Sequence, residues 1–320
     1  MDDFTGYRGL HDISLIIPTY NRSDALALCF SALSRQSASG RFEVVVVDDG
    51  SEDDTAAVCA EDHGFPIRYI RQENAGANAA RNRAIEAAAA ELLLFMNDDT
   101  IACPEFVAVH LDAHAALPDP GMSVLGRMTV HPDFAANPLS PLHHDASFIP
   151  LTGKEELRWT EFFTCNLSVK TRFLRDHGCF DEALRWHEDI ELGERLVQHG
   201  MRLFYRPEAL GYHWHSLDGT QLLKIADREG AALAIWSAKR PDLQSELHAL
   251  GLVGPAPYAP ALKHRLADQF FGIVGEASAV TLARAATTLS PRLGRAVWRK
   301  VFQHRKRRAI ETTLTARQVH

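Results

Sequence analysis

Three short groups of polar residues carry the chemistry that this sequence could perform. Thr19 follows one apolar run, the Asp48-Asp49 pair follows a second, and the Asp98-Asp99 pair follows a later one. Carboxylates at neighbouring strand ends repel each other unless a cation or a strong hydrogen-bond donor lies in the gap. Asp98 and Asp99 are therefore candidates for binding Mg²⁺ or Mn²⁺, which prefer oxygen ligands and take few of them from the protein.

Turn formation is the alternative for each acidic pair taken alone. Asp and Gly are common turn residues, and Ser51 could cap a helix that contains Thr55. Two acidic strand ends and Thr19 at one edge of a single sheet are harder to explain by turn formation. This coincidence favours a crevice that binds a metal ion and forms hydrogen bonds.

The hydrophobic pattern predicts the elements that would bring these residues together. Apolar, β-branched runs occur at residues 13–17, 42–47, 67–70 and 92–96, and helical patterns separate them at residues 24–34, 53–62 and 76–90. The runs are apolar throughout, as in parallel strands that are covered by helices on both faces. This order predicts an α/β fold with an open, Rossmann-like, doubly wound, mostly parallel sheet. Ligands of such sheets bind beyond the carboxyl ends of the strands.

The pattern is less regular after residue 99. Residues 131–158 contain four prolines and the His143-His144 pair. They predict a long loop that is either a lid or binding element or disordered. Strand patterns follow at residues 162–169, 201–205 and 209–214, and a helix is expected to begin near Glu188. Beyond Leu217 the chain shows only helical patterns, which predict a helical C-terminal extension.

The composition excludes several classes of protein. The chain is 46% hydrophobic and 23% charged, as in ordinary globular proteins, and its net charge of -7 predicts no nucleic acid partner. The five cysteines are scattered and form no CxxC pair, which argues against a disulfide framework or a zinc knuckle and fits a reducing cytoplasm. An acidic start at Met1–Phe4 and the lack of an apolar run near about 20 residues predict neither a signal peptide nor a membrane span.

Six motifs, in this order, resemble family 2 glycosyltransferases, whose fold is called GT-A. They are IIPTYNR at 16–22, VDDGS at 47–51, NAG and ARN within 74–82, FMNDDT at 95–100, TCNLS at 164–168 and WHED at 186–189, with Leu192 and Arg195 following. The resemblance covers about residues 12–216. It implies a catalytic domain at residues 1–216, with a nucleotide-binding half at 12–99 and an acceptor-binding half at 100–216, followed by the helical region at 217–320.

The resemblance assigns the donor side of the site to the first four motifs. Thr19 and Asp48 are expected to lie against the base of the nucleotide, where Asp48 can accept a hydrogen bond from an N–H group such as a uracil edge. Asp98 is expected to face the ribose, and Asp99 the divalent metal that bridges the donor phosphates and stabilises the leaving diphosphate. Asn97 stands where relatives often have aspartate, so we do not expect it to bind metal. The other expected nucleotide contacts are Pro18, Asn21, Asp49, Asn74, Arg81 and Asn97.

Arg81 lies on the predicted helix after Gly76 and could hold a phosphate in a bidentate manner, with Arg71 and Asn74 assisting. The alternative is a solvated charge on the helix face.

The Glu188-Asp189 pair lies in the first turn of a predicted helix, where the helix dipole favours negative charge. The resemblance implies in addition that the pair supplies the general base, with Asp189 favoured over Glu188. A single displacement at the anomeric carbon needs one base on the acceptor side and charge stabilisation on the leaving-group side, and it inverts the stereochemistry. We therefore expect an inverting enzyme.

Two histidines in the sequence Tyr212-His213-Trp214-His215 share a face if this segment is a strand. The resemblance places His213 at the metal or at a phosphate, with His215 as the second candidate. An ordinary hydrogen-bonded histidine pair is the alternative.

The C-terminal segment 292–309 predicts a basic amphipathic helix. Such helices bind anionic membranes, which suits a lipid-linked acceptor and a location at the inner face of the membrane. The alternative is a helix docked through its apolar stripe onto the catalytic domain or onto a second subunit of a homodimer.

These observations predict an inverting, hexosyltransferase-type enzyme of class EC 2.4 that acts in polysaccharide biosynthesis. It would transfer a sugar from a nucleotide diphosphate sugar to a hydroxyl of a glycan or lipid-linked glycan. The alternative is a non-catalytic nucleotide-sugar binding module of the same fold. A dehydrogenase is not favoured, because the first turn lacks the glycine-rich dinucleotide fingerprint. A nucleotidyltransferase is not favoured either, because no glycine-rich basic loop follows the first strand.

Overall fold

The computed structural model describes residues 11–254 and 257–318. The acidic residues Met1–Phe4 and the side chains of His143 and His144 lie outside this description. The chain divides into two compact units. The first comprises the chain through Pro132, His144–Ala183 and Glu188–His215, and the second comprises Asp133–His143, Leu184–His187 and the chain from Ser216 onward.

Nine strands and twelve α-helices occur in the described residues. The strands are β1 (Ile13–Thr19), β2 (Phe42–Asp48), β3 (Ile67–Arg71), β4 (Leu92–Met96), β5 (Thr100–Ala102), β6 (Met122–Val130), β7 (Glu156–Leu157), β8 (Asn166–Lys170) and β9 (Arg202–His213). The helices are α1 (Ser23–Leu33), α2 (Thr55–Ala60), α3 (Ala77–Ala87), α4 (Phe106–Ala116), α5 (Ser140–Phe148), α6 (Thr171–His177), α7 (Glu188–Val197), α8 (Gly219–Lys239), α9 (Gln244–Ala249), α10 (Leu262–Val274), α11 (Glu276–Leu289) and α12 (Pro291–Gln318).

All the strands belong to one sheet in the first unit. Its order is β3-β2-β1-β4-β8-β6-β9-β5, with β7 also paired to β9. The half from β3 to β4 is parallel, β8 runs antiparallel between β4 and β6, and β6 is parallel to β9. The predicted α/β class with a mostly parallel sheet and a helical C-terminal region is confirmed.

The central strands show why the sequence forms this sheet. Val44–Val47 of β2 are fully buried, and such β-branched residues pack well on the pleated surface of an inner strand. In the register of β1 with β2, Thr19 pairs with Asp48, while Ile13 of β1 pairs with Leu92 of β4. The carboxyl ends of β1, β2 and β4 therefore lie at one edge of the sheet, and the polar residues that follow them are neighbours.

Three expectations about local structure were wrong. Residues 131–158, predicted as a long loop, contain α5 and the short strand β7; Pro141 lies in the first turn of α5, where a missing N–H is tolerated. The two predicted strands at 201–205 and 209–214 are one strand, β9, whose register with β6 shifts between Gly126 and Arg127.

The third concerns the alanine-rich stretch 76–90, which was expected to be helical throughout. Helix α3 ends at Ala87, and Ala88 is extended. Here the backbone N–H of Ala89 donates to Glu43 Oε1 at 3.0 Å, and that of Ala90 donates to Ser14 Oγ at 3.2 Å. These bonds to the sheet replace the helical ones, so tertiary contacts override the helix propensity of alanine.

The second unit is a helical assembly with its own apolar core. Leu139, Leu217, Leu222 and Phe271 form this core together with Trp298 and Val301 of α12. The apolar stripe of the basic segment is therefore covered by helices of the same unit. Among the helices in the described part of the chain, none is long and apolar enough to cross a membrane.

Candidate active site

A cluster of carboxylates follows β1 and β4 at the shared edge of the sheet. Thr19 Oγ1 donates a hydrogen bond to Asp98 Oδ2 at 2.9 Å. The guanidinium of Arg22 lies 3.0 Å from Asp98 Oδ1 and donates to Asp99 Oδ2 at 2.8 Å. Arg22 thus supplies the cation that the two carboxylates require. The sequence placed Arg22 in the first motif but gave it no role, because spacing does not reveal the direction of a long side chain.

The two aspartates have opposite electrostatic environments. Burial raises the pKa of Asp98 to about 6, against the charge of Arg22 and with that of Asp99 adding to the rise. For Asp99, burial acts in the same direction but is outweighed by His213 and Arg22, which hold the pKa of its carboxyl well below the usual range. Asp99 is therefore ionised at neutral pH.

His213 is the last residue of β9, opposite Thr100 in β5, and its Nδ1 atom lies 3.6 Å from Asp99 Oδ1. Asp99 Oδ1 is buried and accepts no hydrogen bond from the described residues. The strand ends at His213, so the expectation that His215 shares a strand face with it was wrong. His213 is the histidine that the fold brings to Asp99.

The loop after β2 is held by its own aspartates. Asp48 accepts from the Ser51 N–H at 2.7 Å and from the Tyr69 hydroxyl at 2.5 Å. Burial would raise the pKa of Asp48, but these hydrogen bonds lower it. Asp49 accepts from the N–H groups of Ala75 and Gly76, each at 2.8 Å, and so fixes the loop that enters α3. Asp48 keeps lone pairs for a base, whereas Asp49 has a scaffolding position.

The remaining residues predicted to contact the nucleotide surround this loop. Asn21 Oδ1 accepts from the Glu52 N–H at 2.8 Å, and the Asn21 N–H donates to Ser51 Oγ at 2.8 Å. Pro18 lies in β1 beside Val47, and Asn97 directly follows β4. Asn74 is exposed, and its backbone N atom lies 3.2 Å from the Cβ position at Gly50. A side chain at residue 50 would therefore crowd the turn.

Backbone strain marks the two sides of the site. Among the described non-glycine residues, only Asn21 and His187 have positive φ, at 51° and 58°. Such conformations are sparsely populated by residues with a Cβ, and they gather at functional sites. Asn21 lies in the loop after β1, and His187 directly precedes Glu188.

The predicted catalytic pair lies at the start of α7. Arg81 Nη1 donates to Glu188 Oε1 at 2.8 Å and to Asn78 Oδ1 at 3.0 Å. Asp189 Oδ1 accepts from the Ile190 N–H at 2.8 Å. Burial and the neighbouring Glu188 charge raise the pKa of Asp189 to about 7, against the charge of Arg81. The Arg81 guanidinium thus contacts Glu188, and its predicted phosphate contact stays a prediction.

One short segment connects the two sides of the site. Met96 at the end of β4 pairs with Asn166 at the start of β8, so the residues after Met96 lie beside those before Asn166. Within this segment, the backbone N atom of Thr164 lies 3.3 Å from Asp189 Oδ2. Burial and then the carboxylates of Asp189 and Asp99 raise the pKa of the Cys165 thiol to about 12.

Residues 14–166 match the family model described as glycosyl transferase family 2. The chain contains a domain of this family. It is 32% identical to a validoxylamine A glucosyltransferase of Streptomyces hygroscopicus over 73% of this chain and 62% of that protein. It is also 27% identical to the uncharacterised glycosyltransferase YfnE of Bacillus subtilis, over 79% of this chain and 76% of that one. The match spans less than two thirds of the Streptomyces relative.

Solved structures support the fold of this family 2 member. The mannosyltransferase PcManGT from Pyrobaculum calidifontis, solved with GDP-Man and Mn²⁺, superimposes with a TM-score of 0.61 at 20% identity, covering 94% of this chain and 87% of that one. Residues 1–349 of S. aureus TarS, solved with UDP, give a TM-score of 0.53 at 17% identity, covering 97% and 92%. These neighbours confirm the GT-A type of fold.

The protein ligands available for a divalent cation are few. Among the described residues, no three His, Cys, Asp or Glu side chains form a metal-binding group. The buried Oδ1 atom of Asp99, with His213 beside it, still fits Mg²⁺ or Mn²⁺, because these ions bind through one or two carboxylates and take their other ligands from water and substrate phosphates. The donor set is too small for a metal site made by protein alone.

The structure contains a buried histidine network behind the site that was not predicted from the sequence. His110 bonds Ser168 Oγ and Asn166 Oδ1, each at 2.8 Å, and His114 bonds Ser168 Oγ at 2.9 Å. Burial lowers the pKa of His110 to about 4 and that of His114 to about 3. Both rings are therefore neutral at pH 7 and hold β8 in position. Their spacing of four residues predicts only a shared helix face and does not indicate which residues they bond.

Proposed function

We propose that this chain is an inverting glycosyltransferase that transfers a sugar from a nucleotide diphosphate sugar to an acceptor hydroxyl. The observation that carries the proposal is the arrangement around residues 164–166. Asp99 lies three residues after Met96, which pairs with Asn166, and Asp189 Oδ2 lies 3.3 Å from the backbone N atom of Thr164. A single displacement needs these two functions within one site, because the leaving group departs on the side opposite to the attacking hydroxyl.

The donor side is proposed at the edge formed by β1, β2 and β4. Asp48 accepts an N–H group of the base, and Asp98, held by Thr19, faces the ribose. A divalent cation, when bound at Asp99 and His213, would neutralise charge on the departing diphosphate. Guanosine and uridine diphosphate sugars are the first donors to test, because the structural neighbours were solved with GDP-Man and with UDP.

The acceptor side is proposed at the start of α7. The acceptor oxygen bonds to the anomeric carbon as the bond from that carbon to the diphosphate oxygen breaks, and the hydroxyl proton passes to Asp189. Glu188 is less suited to this task, because its carboxylate is paired with Arg81 at 2.8 Å. A base whose pKa lies near 7 is ionised at working pH and still accepts a proton readily.

The proposal also covers the two halves of the catalytic domain, the class of acceptor and the location of the protein. Residues 12–99 are proposed as the nucleotide-binding half and residues 100–216 as the acceptor-binding half, with the helical region after them. The acceptor is proposed to be a glycan or a lipid-linked glycan, and the location to be cytoplasmic, which suits five scattered cysteines.

Donor turnover without an added acceptor tests the proposal. The chain would be incubated with a panel of nucleotide diphosphate sugars and Mn²⁺, and release of nucleoside diphosphate would be followed while NMR reports the anomer of the first sugar released. We expect the inverted anomer from the wild type and slow release from Asp99→Asn and Asp189→Asn. Asp112→Asn, an exposed carboxylate on α4, is the matched control. The retained anomer would exclude a single displacement, and donor binding without release would favour the non-catalytic binding module.

A further inference from the structure

Helix α10 of the second unit carries an apolar stripe that faces solvent. Leu262, Leu266, Phe270 and Ile273 are 68%, 57%, 49% and 87% exposed. At about 100° per residue these four positions lie within roughly 80° of arc, so they form one continuous face. The opposite side of the helix is buried through Phe271. Four large apolar side chains in a row are more than the scattered exposure that is normal for a surface.

A cationic cleft adjoins this stripe, between α10 and α12. Lys263, His264, Arg299, Lys300 and Arg307 line it, with Gln303 and two alanines, and its volume is about 330 Å³. Lys263 follows Leu262 around the helix, so the cleft begins where the stripe ends. Within the described residues, no ion pair is formed by Lys263, Arg299 or Lys300.

The acidic residues near the cleft are already neutralised. Asp268, the one carboxylate of α10, accepts from Arg307 and His304. Glu276 and Asp227 are paired with Arg305. Residues 262–318 contain twelve lysines and arginines against three acidic residues, in a chain whose net charge is -7. The positive charge is thus concentrated on this part of the second unit.

We propose that the α10 stripe and the adjoining cleft form a docking surface for an anionic phospholipid bilayer. The apolar side chains insert among the acyl chains, and the cleft binds the phosphate groups of the lipid headgroups. The surface belongs to α10 and to the exposed cations of α12, whereas the apolar stripe of α12 is buried in the core. This inference does not depend on the sugar transfer proposed above, because vesicle binding needs no donor.

Charge complementarity favours a lipid surface, and not a second copy of the chain, as the occupant of this docking surface. A second copy would bring the same cations against the cleft, and like charges would repel across the interface. A bilayer rich in phosphatidylglycerol offers negative charge and apolar depth at once. Both features of the surface are then satisfied.

Co-sedimentation of the full chain with vesicles tests the proposal. We expect binding to phosphatidylglycerol vesicles and little to phosphatidylcholine vesicles. Two double variants, Leu266→Ser/Phe270→Ser and Arg299→Glu/Lys300→Glu, are each expected to lower binding about tenfold or more. The first removes inserting apolar side chains. The second removes two cations, and each basic residue near the surface contributes roughly a factor of five. Leu28→Ser and Arg83→Glu/Arg172→Glu, all exposed residues of the first unit, are the matched controls. Circular dichroism would confirm that every variant is folded.

Several outcomes would overturn the inference. Equal binding to both lipids would remove the role of the cleft, and unchanged binding of both double variants would place the contact elsewhere. Analytical ultracentrifugation provides the remaining arm. A dimer that Leu266→Ser/Phe270→Ser dissolves, with no vesicle binding by the wild type, would show that the stripe is an interface between copies. Stabilisation by inorganic phosphate without vesicle binding would show a phosphate site only.

Discussion

Asp189 is the residue whose environment most directly predicts a pH dependence. Its pKa is raised to about 7 by burial and by Glu188, so the base form predominates only above that value. Turnover should therefore rise as the pH increases through 7 and then level off. Asp189→Asn should lower kcat by about 10²–10⁴-fold, the usual contribution of a general base, while donor affinity stays within about twofold. A pH profile of kcat together with donor titration checks both expectations; a variant that loses donor affinity instead would place Asp189 on the donor side.

The same carboxyl should reduce stability as the pH rises from about 4 to about 7. A pKa that is raised on folding contributes stability below the unfolded value near 4, and that contribution is lost as the pH rises through the folded value near 7. Asparagine cannot ionise, so Asp189→Asn should gain in Tm relative to the wild type between pH 5 and pH 8. Melting curves at both pH values, with Asp112→Asn as control, test this expectation. Parallel curves for variant and wild type would contradict it.

Arg22 occupies the gap that a divalent cation would help to neutralise. Arg22→Gln leaves Asp98 and Asp99 facing each other without a cation, and should cost about 1–2 kcal/mol, a moderate value because Arg22 is 38% exposed and partly screened. Added Mn²⁺ should restore more stability to the variant than to the wild type. Thermal shift with and without Mn²⁺ measures the difference, with Arg35→Gln, an exposed residue just after α1, as the control. Equal Mn²⁺ shifts in both proteins would show that Arg22 and the metal do not share the site.

At the scale of elements, the junction of β6, β8 and β9 determines the position of residues 164–166. Asn166 Nδ2 donates to the carbonyls of Arg127 and Ala209, at 3.1 and 2.7 Å. A Cβ atom at residue 126 would lie 2.3 Å from Asn166 Nδ2 and 2.5 Å from Ala209 O. Gly126→Ala should therefore destabilise the fold by about 1–3 kcal/mol, as overpacking does, and should also lower kcat. Gly272→Ala, which meets open space, is the control; equal Tm values for the two variants would contradict the expectation.

The strands of residues 12–99 could be predicted because their residues are buried on both faces. Unbroken apolar runs such as Val44–Val47 leave little alternative to an inner parallel strand. The shared edge then follows from topology, which is why Thr19 and Asp98 were expected to be neighbours and lie 2.9 Å apart.

The structure of residues 100–216 was less predictable, because the order of its elements depends on contacts distant in sequence. The buried faces of helix α4 and strand β6 are determined by partners such as β9. Helix α5 was not predicted because its region contains four prolines. The Arg22 ion pairs and the His110 network depend on side-chain directions that spacing does not determine. What the sequence supplied there was the motif order, not the geometry.

At the scale of the whole molecule, the proposed site joins the carboxyl ends of β1, β2 and β4 to the start of helix α7. The central claim of the proposed function is that donor binding depends on a divalent cation at Asp99. A panel of nucleotide diphosphate sugars, screened by thermal shift with and without Mn²⁺ on the wild type and on Asp99→Ala, tests this claim most directly. A donor present at 100 times its Kd should add about 2.7 kcal/mol of stability. We expect one donor to stabilise the wild type only with Mn²⁺, and Asp99→Ala to abolish this shift. A donor shift that persists in Asp99→Ala, or no shift with any donor, would contradict it.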